Sequence, residues 1–417
     1  MPAPSRLIAL DVLRGVAVMG ILLMNIVGFG LPQAAYLNPA AFGGSSGADL
    51  AVWVIGFVLV DGKMRALFSL LFGASMALMI DRAEAAGQDG SIVHLRRMAT
   101  LLAIGAVHAY LIWSGDILIP YAVVGTLALA HIRRDARELV AIAMVLLLAQ
   151  WLLLGSLLGG FGTLRDAAAV PGAPHAVVRA WRDIADQIGI PSPAATAREL
   201  ATFRGSYAII LAERLRHAAT PFLQLIDIGA ETLALMLLGA AGLRTGFLAG
   251  TWPAATYRRV MLGAYGLALP ALALIAMATI RSGFDEVLTV HAATLYAAPF
   301  RILVMIGHVA LLLLWLRRSP GSRLIGRVAA VGRSAFTNYL ATSIVMTTLF
   351  YGYGWGLFGQ LSRAQLYALV PVAWVAMLAW SRPWLNRYRY GPFEWLWRSM
   401  ARARLQPMRR PASGIEI

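Results

Sequence analysis

The stretch AVHAYLIWSGDILIPYAVVG, Ala106–Gly125, is apolar enough to sit in lipid, yet it holds His108 and, just after a Ser114-Gly115 break, Asp116. Apolar runs on either side of the break read as two membrane helices joined by a tight turn. Ionisable groups at membrane depth are costly unless they face a partner or a cavity, which makes this pair a candidate site. With the turn centred on Ser114-Gly115, His108 lies about six residues, or roughly 9 Å, below it. Tyr121 is then the residue at matching depth on the return helix, and Asp116 reaches the imidazole only by pointing inward. As the first residue of the new helix, Asp116 also suits capping of free N–H groups. His108 has two readings as well, a packed histidine bonded to a carbonyl or a working base.

The rest of the chain has the same apolar character. Of 417 residues, 59% are hydrophobic and 13% charged, with mean hydropathy +0.69, whereas about a quarter of a soluble domain is charged. Several runs reach the ~20 residues a helix needs to cross the hydrocarbon, and the short polar/apolar alternation of a porin-like barrel is missing. The expected fold is all-α, a single transmembrane helix bundle over residues 1–417 with about ten spans. They fall near 7–30, 50–81, 95–113, 116–132, 138–160, 221–247, 256–281, 290–316, 328–350 and 364–382. The run 50–81 is divided by DGKMR and reads as a broken helix, or as a re-entrant piece followed by a span. The first run, near Arg6, reads as a retained helix and not a signal peptide, because Asp11, Arg14 and Asn25 interrupt it and many spans follow.

Arginines recur in every second gap: Arg82, Arg96 and Arg97; Arg133, Arg134 and Arg137; Arg244, Arg258 and Arg259; Arg317, Arg318, Arg323 and Arg327. A basic tail over 384–417 closes the series. Provided 50–81 crosses once in net terms, the positive-inside rule puts both termini and this tail in the cytoplasm of a bacterial inner (cytoplasmic) membrane. The long segment 161–220 then lies outside, with PGAP and GIPSPA as breakers and a charged stripe suited to surface helices or to a cap. The net charge of +16 follows from this distribution, and basic-aromatic interleaving suited to nucleic acid is absent. No cysteine is present, no metal-ligand spacing or phosphate loop is found, and no internal repeat is visible.

The other polar residues at membrane depth are the remaining binding candidates. Asp11 and Arg14 stand three apart, where an ion pair or a phosphate contact is possible. Asn25 falls roughly on the face of Arg14. Lys63 is the only lysine in the chain and shares the DGKMR break with Arg65. Glu231 and Arg301 come out at similar depth and read as an ion pair. Asn338 and Tyr339 interrupt a late span, either to bind substrate or to bond across helices.

The blocks RLIALDVLRGVAVMGILLMN, DGKMRALFSLLFG, HLRRMATLLAIGAVHAYLIWSGDILIPYAVVG, FRGSYAIILAER, ETLALMLLGAAGLRTGFL, GRSAFTNYL and YGPFEWLWR resemble, in order and over nearly the whole chain, the YeiB-like DUF418 family of bacterial membrane proteins. The opening block in turn resembles that of membrane acyltransferases that modify polysaccharides or heparan glucosamine. That resemblance implies a cytoplasmic acyl-CoA donor, with no tightly bound cofactor, and a glycan or lipid acceptor at the opposite face. His108 would act as general base, Asp116 as its orienting group, Tyr121 or Asn25 as oxyanion donor, and Arg14 with Lys63 or Arg65 as holders of donor phosphates. The chain departs from many such enzymes in carrying Asn25 where they place a first-span histidine. A transporter or channel is the alternative reading, and a non-catalytic membrane scaffold the third.

Overall fold

In the computed structural model, which describes residues 8–410, the chain is helical throughout and no strand forms among the described residues. The helices are α1 (Ile8–Gly30), α2 (Ala34–Leu37), α3 (Gly47–Ile55), α4 (Lys63–Ala85), α5 (Gly90–Val107), α6 (Leu118–Ala128), α7 (Ala136–Gly159), α8 (Phe161–Ala169), α9 (His175–Ile188) and α10 (Pro193–Phe203). They continue with α11 (Tyr207–Arg216), α12 (Thr220–Arg244), α13 (Ala254–Arg281), α14 (Glu286–His291), α15 (Ala298–Arg318), α16 (Arg323–Arg333), α17 (Ala335–Phe350), α18 (Arg363–Arg387) and α19 (Pro392–Ala401). Among the described residues, seven are long and apolar enough to cross a membrane: α1, α5, α7 with α8, α12, α13, α15 and α18.

Side-chain bonds gather the arginine-rich turns at one end of the bundle. Arg133 pairs with Glu84 and Ser91, Arg244 donates to the Ile132 and Arg134 carbonyls, and Arg317 donates to those of Gly250 and Trp252. The segment after α18 joins this basic end as a folded element. Its helix α19 packs on α5, where Trp397 donates to the Arg97 carbonyl at 3.1 Å, and Glu394 caps α17 by accepting from the N–H groups of Phe336 and Thr337.

The opposite end is covered by α8–α11. The Gln33 N–H donates to Glu199 at 2.8 Å, Tyr207 and Tyr110 bond the Leu111 and Ala218 carbonyls, and Arg165 pairs with Asp285. Segment 161–220 is therefore a folded cap across the loops that leave α1 and α5.

The run 47–85 is a broken helix. After α3 a π turn (Gly56–Val60) follows, then Asp61 and Gly62, and α4 continues. Gly62 sits at φ +75, and a Cβ there would lie 2.5 Å from the Arg301 side chain, so the break needs glycine. The break lies partway through the bundle: α1 Gly20 faces Met64 while Arg14, deeper on α1, donates to Ser75. As α1 rises, α4 therefore descends to the basic end. Close backbone approach fixes α4 against α12, since a Cβ on Gly73 would overlap the Met236 carbonyl oxygen and one on Gly239 that of Leu70.

Candidate functional site

A break in a membrane helix leaves carbonyls without partners, and here two side chains supply them. The Asp61 N–H bonds Gly56 across the wide π turn, which frees the Phe57 carbonyl for Lys63 Nζ and the Leu59 carbonyl for His308 Nε2 at 2.9 Å. Lys63 is almost wholly buried, so one role of the chain's only lysine is to close this break. Two further π turns, His108–Ile112 and Ala292–Tyr296, also interrupt helices, the first at His108 itself and the second just ahead of Arg301. Turns of this kind concentrate at functional sites.

The 106–125 stretch departs from a symmetric hairpin. Its π turn ends at Trp113, the chain runs back without helix, and α6 begins only at Leu118, an 11-residue helix of about 16 Å, half of the hydrocarbon thickness. Asp116 therefore drops to the level of His108. His108 Nδ1 lies 2.7 Å from Asp116 Oδ1, and Asp116 Oδ2 accepts from the Ile119 N–H at 3.0 Å. One carboxylate performs both roles open to it in the sequence, helix cap and histidine partner. Tyr121, expected at matching depth, is bound instead to Ser69 at 2.5 Å and lies over the Arg65 carbonyl.

Both members of the dyad are buried, at 1% and 0% side-chain exposure. A carboxylate only accepts, so Nδ1 donates to it, and in the neutral imidazole Nε2 is the nitrogen with the free lone pair. Nε2 is buried without a partner among the described residues. The Tyr339 ring stands 5.3 Å from the imidazole, and its hydroxyl lies near the Ile117 backbone without completing a hydrogen bond to it. Tyr339 also lines a cavity of about 10 Å³ with Asn25, Phe29, Thr342 and Ser343, room for a single water. Trp113, stacked on Phe29 at 4.0 Å, closes the other flank.

The remaining candidates separate into three groups. Asn338 is used across helices, donating to Val331 and Ser381 and accepting from Trp380. Glu231 pairs with Arg65 at 2.8 Å and not with Arg301, which corrects the expected ion pair. The reason is the break, which starts α4 at the depth of Glu231 and brings Arg65 to it first. Arg14 lies at the basic end beside Asp11 at 3.4 Å and Ser75 at 2.7 Å. Ten residues of α4, about 15 Å, separate Ser75 from Arg65, so Arg14 shares no site with Lys63 or Arg65. Its neighbours in charge are Arg97 and Arg398, both of which also lie near Arg402, with Arg97 over the Trp397 ring at 4.2 Å.

A family model described as "Protein of unknown function (DUF418)" matches residues 243–404. The matched part holds Arg301, Tyr339 and the Glu394 cap, and the His108–Asp116 pair lies before it. The uncharacterized protein YeiB of Escherichia coli (strain K12) is 33% identical over 401 residues, 95% of this chain and 96% of that protein. The uncharacterized protein YxaH of Bacillus subtilis (strain 168) is 30% identical over 417 residues, covering 97% and 96%. An uncharacterized 39.9 kDa protein encoded in an amylase 3' region of Bacillus acidopullulyticus is 24% identical over 404 residues, covering 97% and 96%. No solved structure matches.

Proposed function

This chain belongs to the YeiB-like DUF418 family, and from that premise we propose that it is a multi-pass membrane acyltransferase whose general base is His108. The observation that carries the reading is the buried His108–Asp116 pair with Nε2 left open. In the reaction, Nε2 takes the proton of an acceptor hydroxyl or amine as its oxygen or nitrogen bonds to the carbonyl carbon of an acyl thioester. The carbon–sulfur bond then breaks, and the leaving thiolate takes the proton back from Nε2. Asp116 holds the imidazole in the required tautomer and stabilises its protonated form. Tyr339 is the hydroxyl best placed to donate to the oxyanion, the role that the acyltransferase resemblance assigns to Tyr121 or Asn25.

The donor is an acyl-coenzyme A approaching from the basic end, taken as cytoplasmic, with Arg14, Arg97, Arg398 and Arg402 near its phosphates. From Arg97 to His108 along α5 is about 16 Å, a distance suited to an extended pantetheine arm. The acceptor is a glycan or lipid of the envelope reached beneath the cap, and the membrane is the bacterial inner membrane. Calorimetry of acetyl-coenzyme A binding in nanodiscs tests the donor half. Wild type should bind and Arg14→Ala should bind more weakly; no binding to wild type sinks the reading.

The broken helix with charges at its centre favours a second reading, a carrier, because discontinuous helices form many transport sites. A carrier moves substrate across sealed vesicles with no acyl donor present, and an acyltransferase does not.

A further inference from the structure

Around the break, four cations meet at one depth: Lys63, Arg65, Arg301 and, from the start of α18, Arg363. Two carboxylates oppose them, Asp61 and Glu231, and Glu231 is held by Arg65. Asp49 reaches Arg363 from the capped end while accepting from the Ala364 N–H at 2.7 Å. Positive charge is in excess. Among the described residues, the Arg301 side chain has no hydrogen-bond or ion-pair partner, and its Nε is buried and unsatisfied. Arg363 is 2% exposed; its side chain donates once, to the Ala35 carbonyl, and also leaves its Nε without a partner. Two hydroxyl-bearing rings, Tyr36 and Tyr367, face the same space.

A guanidinium that makes no hydrogen bond at this depth is costly, and an anion bridging it to Arg363 would relieve that cost. The surroundings are not sealed: Tyr36 retains 38% of its surface and the side chains of Arg65 and Glu231 13% and 10%.

We infer that the recess at the Asp61-Gly62 break is an oxyanion-binding site, in which Arg301 and Arg363 hold a carboxylate or phosphate group of a small ligand and Tyr36 and Tyr367 donate to it. Planar guanidinium groups match such anions through paired N–H donors. The inference concerns binding and stands apart from acyl transfer. The anion is either a free metabolite or the headgroup of a lipid.

The test uses the full chain in zwitterionic nanodiscs, with no acyl donor, and follows the thermal midpoint as acetate, inorganic phosphate or dioctanoyl phosphatidate is titrated against chloride at constant ionic strength. Wild type should show a saturable rise with at least one probe. A rise with acetate or phosphate identifies a free anion, and a rise with phosphatidate alone identifies a lipid headgroup. Arg301→Gln should have a midpoint equal to or above that of wild type without ligand, because an unpaired buried charge is gone, and should bind the active probe at least about tenfold more weakly. Tyr367→Phe, which keeps the fold's charges, should weaken binding by a smaller factor. A wild type that responds to none of the probes, or an Arg301→Gln variant that responds as wild type does, overturns the inference. So does an Arg301→Gln variant that melts lower than wild type when Tyr367→Phe also binds the probe as wild type does.

Discussion

Asp116 contributes through both oxygens, and a single substitution separates its two contributions. Asp116→Asn keeps an acceptor for the Ile119 N–H, so α6 should remain capped, but it removes the charge that holds the imidazolium. The rate of the proposed transfer should fall by about 10²- to 10⁴-fold while the folded yield, read by size exclusion, stays near that of wild type. At the cap, Glu199 is a second informative carboxyl. Burial, with Glu213 nearby, raises its pKa above the ordinary glutamate value, against the lowering effect of the Gln33 N–H. The folded chain therefore binds this proton more readily than the unfolded one. The stability it contributes is complete below the ordinary glutamate pKa and is lost as pH rises through the raised one. Glu199→Gln should flatten that response, so its thermal midpoint should gain on wild type as pH rises; parallel curves would rule the residue out. His108 and Asp116 are legible as candidates because ionisable residues stand out in an apolar run. Their pairing is not, because it depends on where α6 begins, and Tyr36 and Arg363 lie in or beside loops where polar residues draw no notice.

Elements in this fold are interrupted at the two proposed sites. The π turns before Asp61, at His108 and before Arg301 each free backbone groups or redirect a side chain that a regular helix would leave facing lipid. The DGKMR break is visible in sequence because charges divide a run too long for one span. The π turns are not, since their residues are as apolar as their flanks. The α4–α12 seam makes a separate prediction. Ala in place of Gly73 or Gly239 would press a methyl group into a backbone carbonyl, which a flexible neighbour cannot relieve. Each change should cost at least about 1–3 kcal/mol and lower the thermal midpoint in detergent; an unchanged midpoint would show that the two helices separate freely.

For the whole molecule, helical class and membrane character follow from hydropathy, while the packing of cap and closing helix onto the bundle does not. The charged stripe of 161–220 suits surface helices as well as a cap and does not choose between them, and nothing in GPFEWLWR shows that it folds against α5 at the other end. Orientation is open to direct measurement because the chain has no cysteine to give background labelling. A single cysteine at Arg179→Cys in the cap should react with an impermeant maleimide in intact cells, and one at Gln88→Cys at the basic end only after permeabilisation; the reverse pattern would invert the donor and acceptor faces. The most direct test of the central claim uses inverted membrane vesicles supplied with radiolabelled acetyl-coenzyme A, comparing wild type with His108→Ala at matched amounts of folded protein. Label should pass to a lipid or glycan fraction with wild type and fall to background with the variant; equal transfer by both, or none by wild type, would contradict it.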